Sequence, residues 1–298
     1  MTSRAERAAT SPVSESAVAA VRGPHARHVH IAPSRGWLRL NLAELWAYRG
    51  LLFFLVWRDV KVRYAQTVLG ATWAVLQPVF SMVVLTVIFG RFIRVPSEGV
   101  PYPVFSLSGL VAWSYFSSAL GGASNSLVQN AGLITKVYFP RLVIPGAATL
   151  AALVDFAIAL VVLLIVMLGF GLLPNPLAIL ILPFMVLLMM MTALGTGCWL
   201  SALNIQYRDF RHVTGFLVQM WMYASPIVYP LSVVPHAYRP LYTINPMASA
   251  ISGFRAALLG TPGPSAAELA IAFGSATVLL LSGLFYFQRT ERGFADVA

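Results

Sequence analysis

Apolar residues run through this chain in long blocks, without the alternation or the helical stripes of a soluble fold. The blocks Val68–Gly90, Val104–Leu127, Gly146–Phe170, Leu177–Leu203, Val213–Pro230 and Ser265–Phe287 are each long enough to cross a bilayer at about 1.5 Å per residue. The pattern predicts an all-α integral membrane protein with six transmembrane helices. Pro78 should bend the first span, and Pro226 should break the fifth near its outer end. Leu42–Tyr64 is different. Only eight uncharged residues separate Arg49 from Arg58, too few to span, so the segment reads as an amphipathic helix lying in the interface as a cuff at the gate, with Trp46, Phe54 and Trp57 at headgroup depth. Leu231–Gly260 alternates breakers with short apolar stretches. Its Met247–Leu259 stretch is helical by pattern but too short to span, and with Arg255 inside it reads as re-entrant or interfacial. The divisions are thus a cytoplasmic tail at 1–41, the interface helix at 42–66 and a six-span domain at 67–298. That domain contains a polar inner segment at 128–145 and an outer re-entrant segment at 231–262.

Composition agrees with lipid as the solvent. Of 298 residues, 58% are hydrophobic and 10% charged, whereas a soluble domain carries about 25% charge. The net charge of +10 points to the positive side of a membrane protein, not to nucleic acid. Arg58, Lys61, Arg63, Lys136, Arg141, Arg208, Arg211, Arg289 and Arg292 fall on one side of a six-span arrangement, against Arg91, Arg94, Arg239 and Arg255 on the other. That asymmetry predicts both termini in the cytoplasm. The N-terminal stretch lacks a signal-peptide core, and its His25, His28 and His30 have no carboxylate or cysteine beside them to complete a metal site. The single cysteine, Cys198, excludes a disulfide framework.

Polar residues within the spans are few. Ser106, Ser108, Ser114, Ser117, Ser118, Ser124 and Asn125 interrupt the second span, and both helix packing and a wet face stand open for them. Asp155 is the one carboxylate deep in a span; without further polar partners at depth it reads as a packing hydrogen bond or a neighbour of a wet crevice more readily than as an ion-coupling acid. Gly195, Thr196 and Gly197 suit close helix contact. There is no phosphate-cradling Gly-rich loop ending in Lys-Ser/Thr, no HExxH and no GxSxG. The chain reads as a conduit without an energy source, an enzyme in no obvious sense. Six helices make a narrow wall for a large solute, which predicts a two-fold homodimer. Were the cargo a sugar polymer, aromatic faces would be its sliding surface. Trp73, Gln77 and Phe80, Trp113 and Phe116, and Gln219 and Tyr223 are the candidate lining residues.

The segment between the second and third spans, LITKVYFPRLVIP (Leu133–Pro145), is basic, aromatic and proline-ended, and carries one of only two lysines in the chain. It is the right size to be pushed by a soluble partner. Together with RDVKVRYAQTVLGATWAVLQP (Arg58–Pro78), YASPIVYP (Tyr223–Pro230) and NPMASAISGFRAALLG (Asn245–Gly260), it resembles the membrane subunit of type-2 ABC exporters, in the branch for O-antigen, teichoic acid and related polysaccharides. The likeness runs in order from about Leu42 to the C-terminus.

The resemblance implies a dimer of permeases in the bacterial inner membrane over two copies of a separate ATPase subunit, which binds the ATP and magnesium; no cofactor falls to this chain. It implies that Lys136, Val137, Tyr138, Phe139, Pro140 and Arg141 form the coupling segment, that the first amphipathic helix is a gate helix, and that the cargo is a polysaccharide on an undecaprenyl-type lipid carrier. Arg58, Lys61, Arg63 and Tyr64 then become the gate, whose basic groups suit a pyrophosphate; anchoring to anionic lipid is their alternative role. Export of small drugs or lipids by the same fold, and ion-coupled secondary transport, are the rival readings.

Overall fold

A computed structural model of the chain describes residues 42–65, 70–207, 209–235 and 237–294, without the side chains of 42, 70–74 and 292. The 1–41 tail with its three histidines, Arg208, and the side chains of Trp73 and Arg292 lie outside this description. Every regular element among the described residues is helical. In chain order they are α1 (Leu42–Ala47), α2 (Arg49–Ala65), α3 (Gly70–Leu85) running on as a π-helical segment (Thr86–Phe92), α4 (Tyr102–Gln129), α5 (Ala131–Ile134), α6 (Val143–Gly169), α7 (Ala178–Gln206), α8 (Phe210–Tyr223), α9 (Arg239–Thr243), α10 (Pro246–Leu259) and α11 (Ala266–Thr290). Five helical stretches, Val75–Phe92, Tyr102–Gln129, Val143–Gly169, Ala178–Gln206 and Ala266–Thr290, are long and apolar enough to cross a membrane.

The central helix is α4, packed between α6 and α7. Its serines answer their own backbone: Ser106, Ser108, Ser114, Ser117, Ser124 and Ser126 each donate to the carbonyl three residues back, at 2.6–3.1 Å. A hydroxyl used in this way asks for no water, so an apolar helix tolerates it. Small residues bring α7 against its neighbours. A Cβ on Gly195 would stand 2.6 Å from the backbone of Leu280 on α11, and one on Gly197 would stand 2.6 Å from Cβ of Ala123 on α4. The Gly-Thr-Gly reading of close contact therefore holds at both glycines.

The expected fifth span departs most from the sequence reading. Its helix, α8, has 14 residues and ends at Tyr223, two residues before the Ser225-Pro226 step. At about 1.5 Å per residue this is roughly 21 Å, short of a crossing. Ala224 N still reaches the Met220 carbonyl and Ser225 N that of Met222, but Pro226–Pro230 continues without helical hydrogen bonding, and α10 supplies what the backbone groups of this stretch lack. Asn245 caps α10 by accepting from Met247 N at 3.0 Å, accepts from Trp221 Nε1 at 2.7 Å, and donates to the Ala224 carbonyl at 3.0 Å. Arg255 donates to the carbonyl of Pro226 at 2.6 Å, to that of Ile227, and more loosely to that of Tyr229. It also donates to Ser108 Oγ at 3.3 Å and lies 3.8 Å from the centre of the Phe105 ring. The sequence reading counted Arg255 among the outer interfacial charges; at 2% exposure it is an interior residue. Nor is α10 interfacial, since it is buried on nearly every side.

Gly109 gives Arg255 its room, because a Cβ there would collide with the guanidinium and lie 2.9 Å from the Ile227 carbonyl. Arg255→Leu strands the carbonyls of Pro226 and Ile227 and should cost on the order of 3 kcal/mol. Gly109→Ala should cost about 1–3 kcal/mol by overpacking. Thermal unfolding of the purified protein should show both losses, and the double variant should lose less than their sum, since the added methyl then meets no guanidinium.

Candidate functional site

The C-terminal end of α4, the N-terminal end of α6 and the C-terminal end of α11 meet around the Lys136 segment. Asn130 ends α4: its amide nitrogen donates to the Ser126 carbonyl at 2.8 Å, and its own carbonyl accepts from Leu133 N at 2.9 Å. The single turn α5 follows, and Pro140, which has no N–H to give, precedes the start of α6. Thr135, Lys136, Val137 and Tyr138 face outward around a shallow hollow, with Tyr138 70% exposed, while Phe139 is buried as the anchor. The six coupling candidates are thus together, with the tip outermost.

Arg141 fastens this segment to the other end of the chain. Its backbone N donates to Glu291 Oε1 at 3.2 Å and its guanidinium donates to the Glu291 carbonyl. The same guanidinium lies 5.9 Å from the Phe294 ring, and Phe294 in turn packs on Phe287 of α11 at 5.3 Å. Burial pushes the Glu291 carboxyl above the ordinary carboxylate range; the Arg141 N–H and guanidinium pull it down, and Glu44 adds to the rise. Tyr138 is pushed up as well, by burial first and then by the Glu44 and Glu291 carboxylates, so α1, the tip and the C-terminal turn share one electrostatic neighbourhood. The sequence reading missed Glu291 and Phe294. Their one signal was a Glu and a Phe just past the apolar block that ends at Phe287.

Helix α2, which carries the gate candidates, stands along α6. Leu52 Cδ1 lies 4.0 Å from where a Cβ of Gly146 would be, and eleven residues further on Arg63 pairs with Asp155, nine residues beyond Gly146. These lengths, about 16 and 14 Å of helix, match only if the two axes run side by side in the same direction. The expected interface helix thus has a neighbour along its length, and Asp155 supplies the counter-charge for Arg63. Arg63 reaches Asp155 Oδ2 and the Tyr64 hydroxyl reaches Oδ1. Arg58 pairs with its neighbour Asp59 at 2.7 Å, and Lys61 is exposed with no polar partner among the described residues. Asp155 therefore has a partner that sequence spacing could not reveal, since the two lie 92 positions apart.

The lining candidates separate into two groups. Gln77, Phe80, Gln219 and Tyr223 are exposed on α3 and α8. Trp113 and Phe116 are interior: their rings pack at 5.2 Å, and Phe116 meets Trp221 at 4.9 Å. With Phe116 at 0% exposure, neither ring faces a lumen in this conformation. Among the described residues, no three His, Cys, Asp or Glu side chains gather to hold a metal ion.

Apolar helices of crossing length, joined by small-residue contacts and fastened at one end around an exposed basic-aromatic tip, define a membrane-embedded permease. The chain belongs to the ABC-2 type transporter family, whose profile matches residues 50–259. It is 31% identical over 256 residues to the O-antigen export system permease protein RfbA of Myxococcus xanthus, covering 85% of this chain and 97% of that one. RfbA of Klebsiella pneumoniae is 27% identical over 261 residues, 87% of this chain and 98% of the relative. The polysialic acid transport protein KpsM of Escherichia coli is 26% identical over 205 residues, 68% and 78% respectively.

The raised Glu291 carboxyl makes the Arg141 junction pH-dependent. A folded-state pKa above the unfolded one gives stability that is complete below the ordinary carboxylate range and is lost as pH rises through the raised value. Hydrogen exchange at the backbone of residues 291–294 should therefore accelerate relative to its intrinsic rate over that interval. Glu291→Gln, which can still accept from Arg141 N, should remove the pH dependence.

Proposed function

We propose that this chain is the transmembrane subunit of an exporter that passes a lipid-linked polysaccharide from the cytoplasm across the inner membrane, worked by a separate ATPase subunit. The observation that carries this reading is the tip Thr135–Tyr138, exposed outward yet fastened through Arg141 to α11 and running directly into α6. A soluble partner pressing there acts on two long helices at once. The printed names of the relatives support a glycan as cargo. In this reading the chain is a homodimer bound to two ATPase copies, which hold ATP and magnesium. The Lys136 end and both termini are cytoplasmic, and α8 with Ala224–Pro230 completes a sixth crossing around the inserted α10. The exposed Gln77, Phe80, Gln219 and Tyr223 form the lumen wall, and Arg58, Lys61 and Arg63 receive the carrier's pyrophosphate.

The runner-up is export of small drugs or lipids by the same machinery; accumulation of carrier-linked glycan in cells lacking the chain separates the two. Ion-coupled transport has Asp155 as its one candidate coupling acid, and the pairing of Asp155 with Arg63 and Tyr64 speaks for a structural tie instead.

The combined variant Val137→Asp/Tyr138→Ala should lower glycan export in complemented cells by about tenfold or more, the scale on which a docking contact of 1.4 kcal/mol or more is felt. It should also lose ATPase co-purification while reaching the membrane at normal amount. Full export by this variant, or glycolipid transport by the chain alone in vesicles without nucleotide, would overturn the reading.

A further inference from the structure

Two of the three basic residues at the gate are already engaged: Arg58 by Asp59, and Arg63 by Asp155. Lys61 is exposed and has no partner among the described residues. The Asp155 contact differs in kind from the Arg58 pair. It joins separate helices, and its two oxygens are divided between two donors, Arg63 on Oδ2 and Tyr64 on Oδ1. The Arg63 side chain can therefore withdraw first without leaving Asp155 bare, because the phenol still holds it at that step. The pair is also within reach of a ligand, with side-chain exposures of 39% for Arg63 and 24% for Asp155. A second contact between the helices, Leu52 on Gly146, is apolar and lies about 16 Å away along α2, so it is untouched by any change at Asp155.

Taking the gate reading above as its basis, we propose that the Arg63–Asp155 pair is a latch that a pyrophosphate headgroup opens by drawing Arg63 away from Asp155. A pyrophosphate carries more charge than one carboxylate and offers more acceptor oxygens to the guanidinium fork, and Lys61 beside it gives the anion a first foothold. Once the anion holds Arg63, its own charge repels the Asp155 carboxylate beside it. The neutral Tyr64 phenol, the one tie then left, parts next, and the end of α2 that carries both residues moves off α6, pivoting at the Leu52–Gly146 contact. The gate would thereby sense a carrier before it opens, and a lipid without the anion would leave it shut.

Binding and distance measurements on the full chain in nanodiscs test this, with farnesyl pyrophosphate as the lipid probe, inorganic pyrophosphate as the free anion and farnesol as the uncharged control. Spin labels at Val62→Cys and Val161→Cys, both exposed positions, report the α2–α6 separation, and the buried Cys198 stays in place. In the otherwise native chain the separation should lengthen when farnesyl pyrophosphate is added, and in Asp155→Asn it should be long from the start. Asp155→Asn should bind the probe about fivefold more tightly, since the competing carboxylate charge is gone. Tyr64→Phe should bind it about threefold more weakly, because Asp155 then depends on Arg63 alone. A tie that only supports the fold would shift both variants in the same direction. Equal binding by the native chain and Asp155→Asn, same-direction shifts, or opening by farnesol overturns the latch and leaves the gate reading standing. Inorganic pyrophosphate as potent as the prenyl form overturns entry from the lipid. No saturable binding of farnesyl pyrophosphate by the native chain or Asp155→Asn overturns the gate reading, and the latch with it.

Discussion

A bilayer offers no water to a peptide group, and this chain breaks a helix in the middle of its apolar part. The carbonyls freed between Ala224 and Pro230 need donors, and Arg255 brings several from a single side chain to those of Pro226, Ile227 and Tyr229. A guanidinium suits the task better than an ammonium, because it is planar and can serve carbonyls in a fork while resting on the Phe105 ring. Asn245 does the same at the start of the break, accepting from Trp221 and donating to Ala224. The short helix α10 is thus the partner without which the irregular stretch could not be buried. Non-helical backbone is tolerated in an apolar interior when it is enclosed by protein and answered group by group, as it is here.

Charge is handled differently at the two ends of this logic. Arg255 is bonded to neutral acceptors and, among the described residues, has no carboxylate at hydrogen-bonding distance, so dipoles and a ring face hold the cation. Around Lys136 the contacts are carboxylates near water: Glu291 with Arg141, Glu44 and Glu291 in the field of Tyr138. The first arrangement is fixed, because releasing Arg255 strands several carbonyls at once. The second can be altered one contact at a time, as an element that must answer a partner requires.

Much of the architecture was legible in the sequence. The apolar runs placed α4, α6, α7 and α11 to within three residues at either end, because a helix of crossing length must be apolar over most of its residues. Gly195 and Gly197 signalled close approach because no other residue would let the backbone of Leu280 and the side chain of Ala123 come so near. What escaped is what depends on residues far apart in the chain. Arg255 read as an interfacial charge because most of its acceptors are backbone groups 26–29 positions away, and the other, Ser108, lies 147 away, none of which composition can show. Trp113 and Phe116 read as sugar platforms because a ring spaced for a lumen is spaced equally well for a core, and Trp221 decides which. For α2, eight uncharged residues between Arg49 and Arg58 showed only that it cannot span; the neighbour it packs along offers its carboxylate 92 positions away.

Helix α6 joins the two halves of the candidate machinery. It begins at Val143, two residues after Arg141, and continues unbroken to Gly169, so Asp155 sits twelve residues, about 18 Å, along one rod from the segment a partner would press. An α-helix transmits a push along its axis with little loss, because each turn is hydrogen-bonded to the next. The same push reaches α11 through Arg141 and Glu291. In the proposed reading, a displacement at Lys136 would arrive at Asp155 as movement of the carboxylate past Arg63, and an anion bound at Arg63 would act on the same contact from the other side. Two inputs that meet on one ion pair need no long network of side chains between them. Coupling then requires only that α6 stay straight between Pro145 and Asp155, a stretch with no proline inside it and with Thr149 bonded back to the Pro145 carbonyl at 2.9 Å.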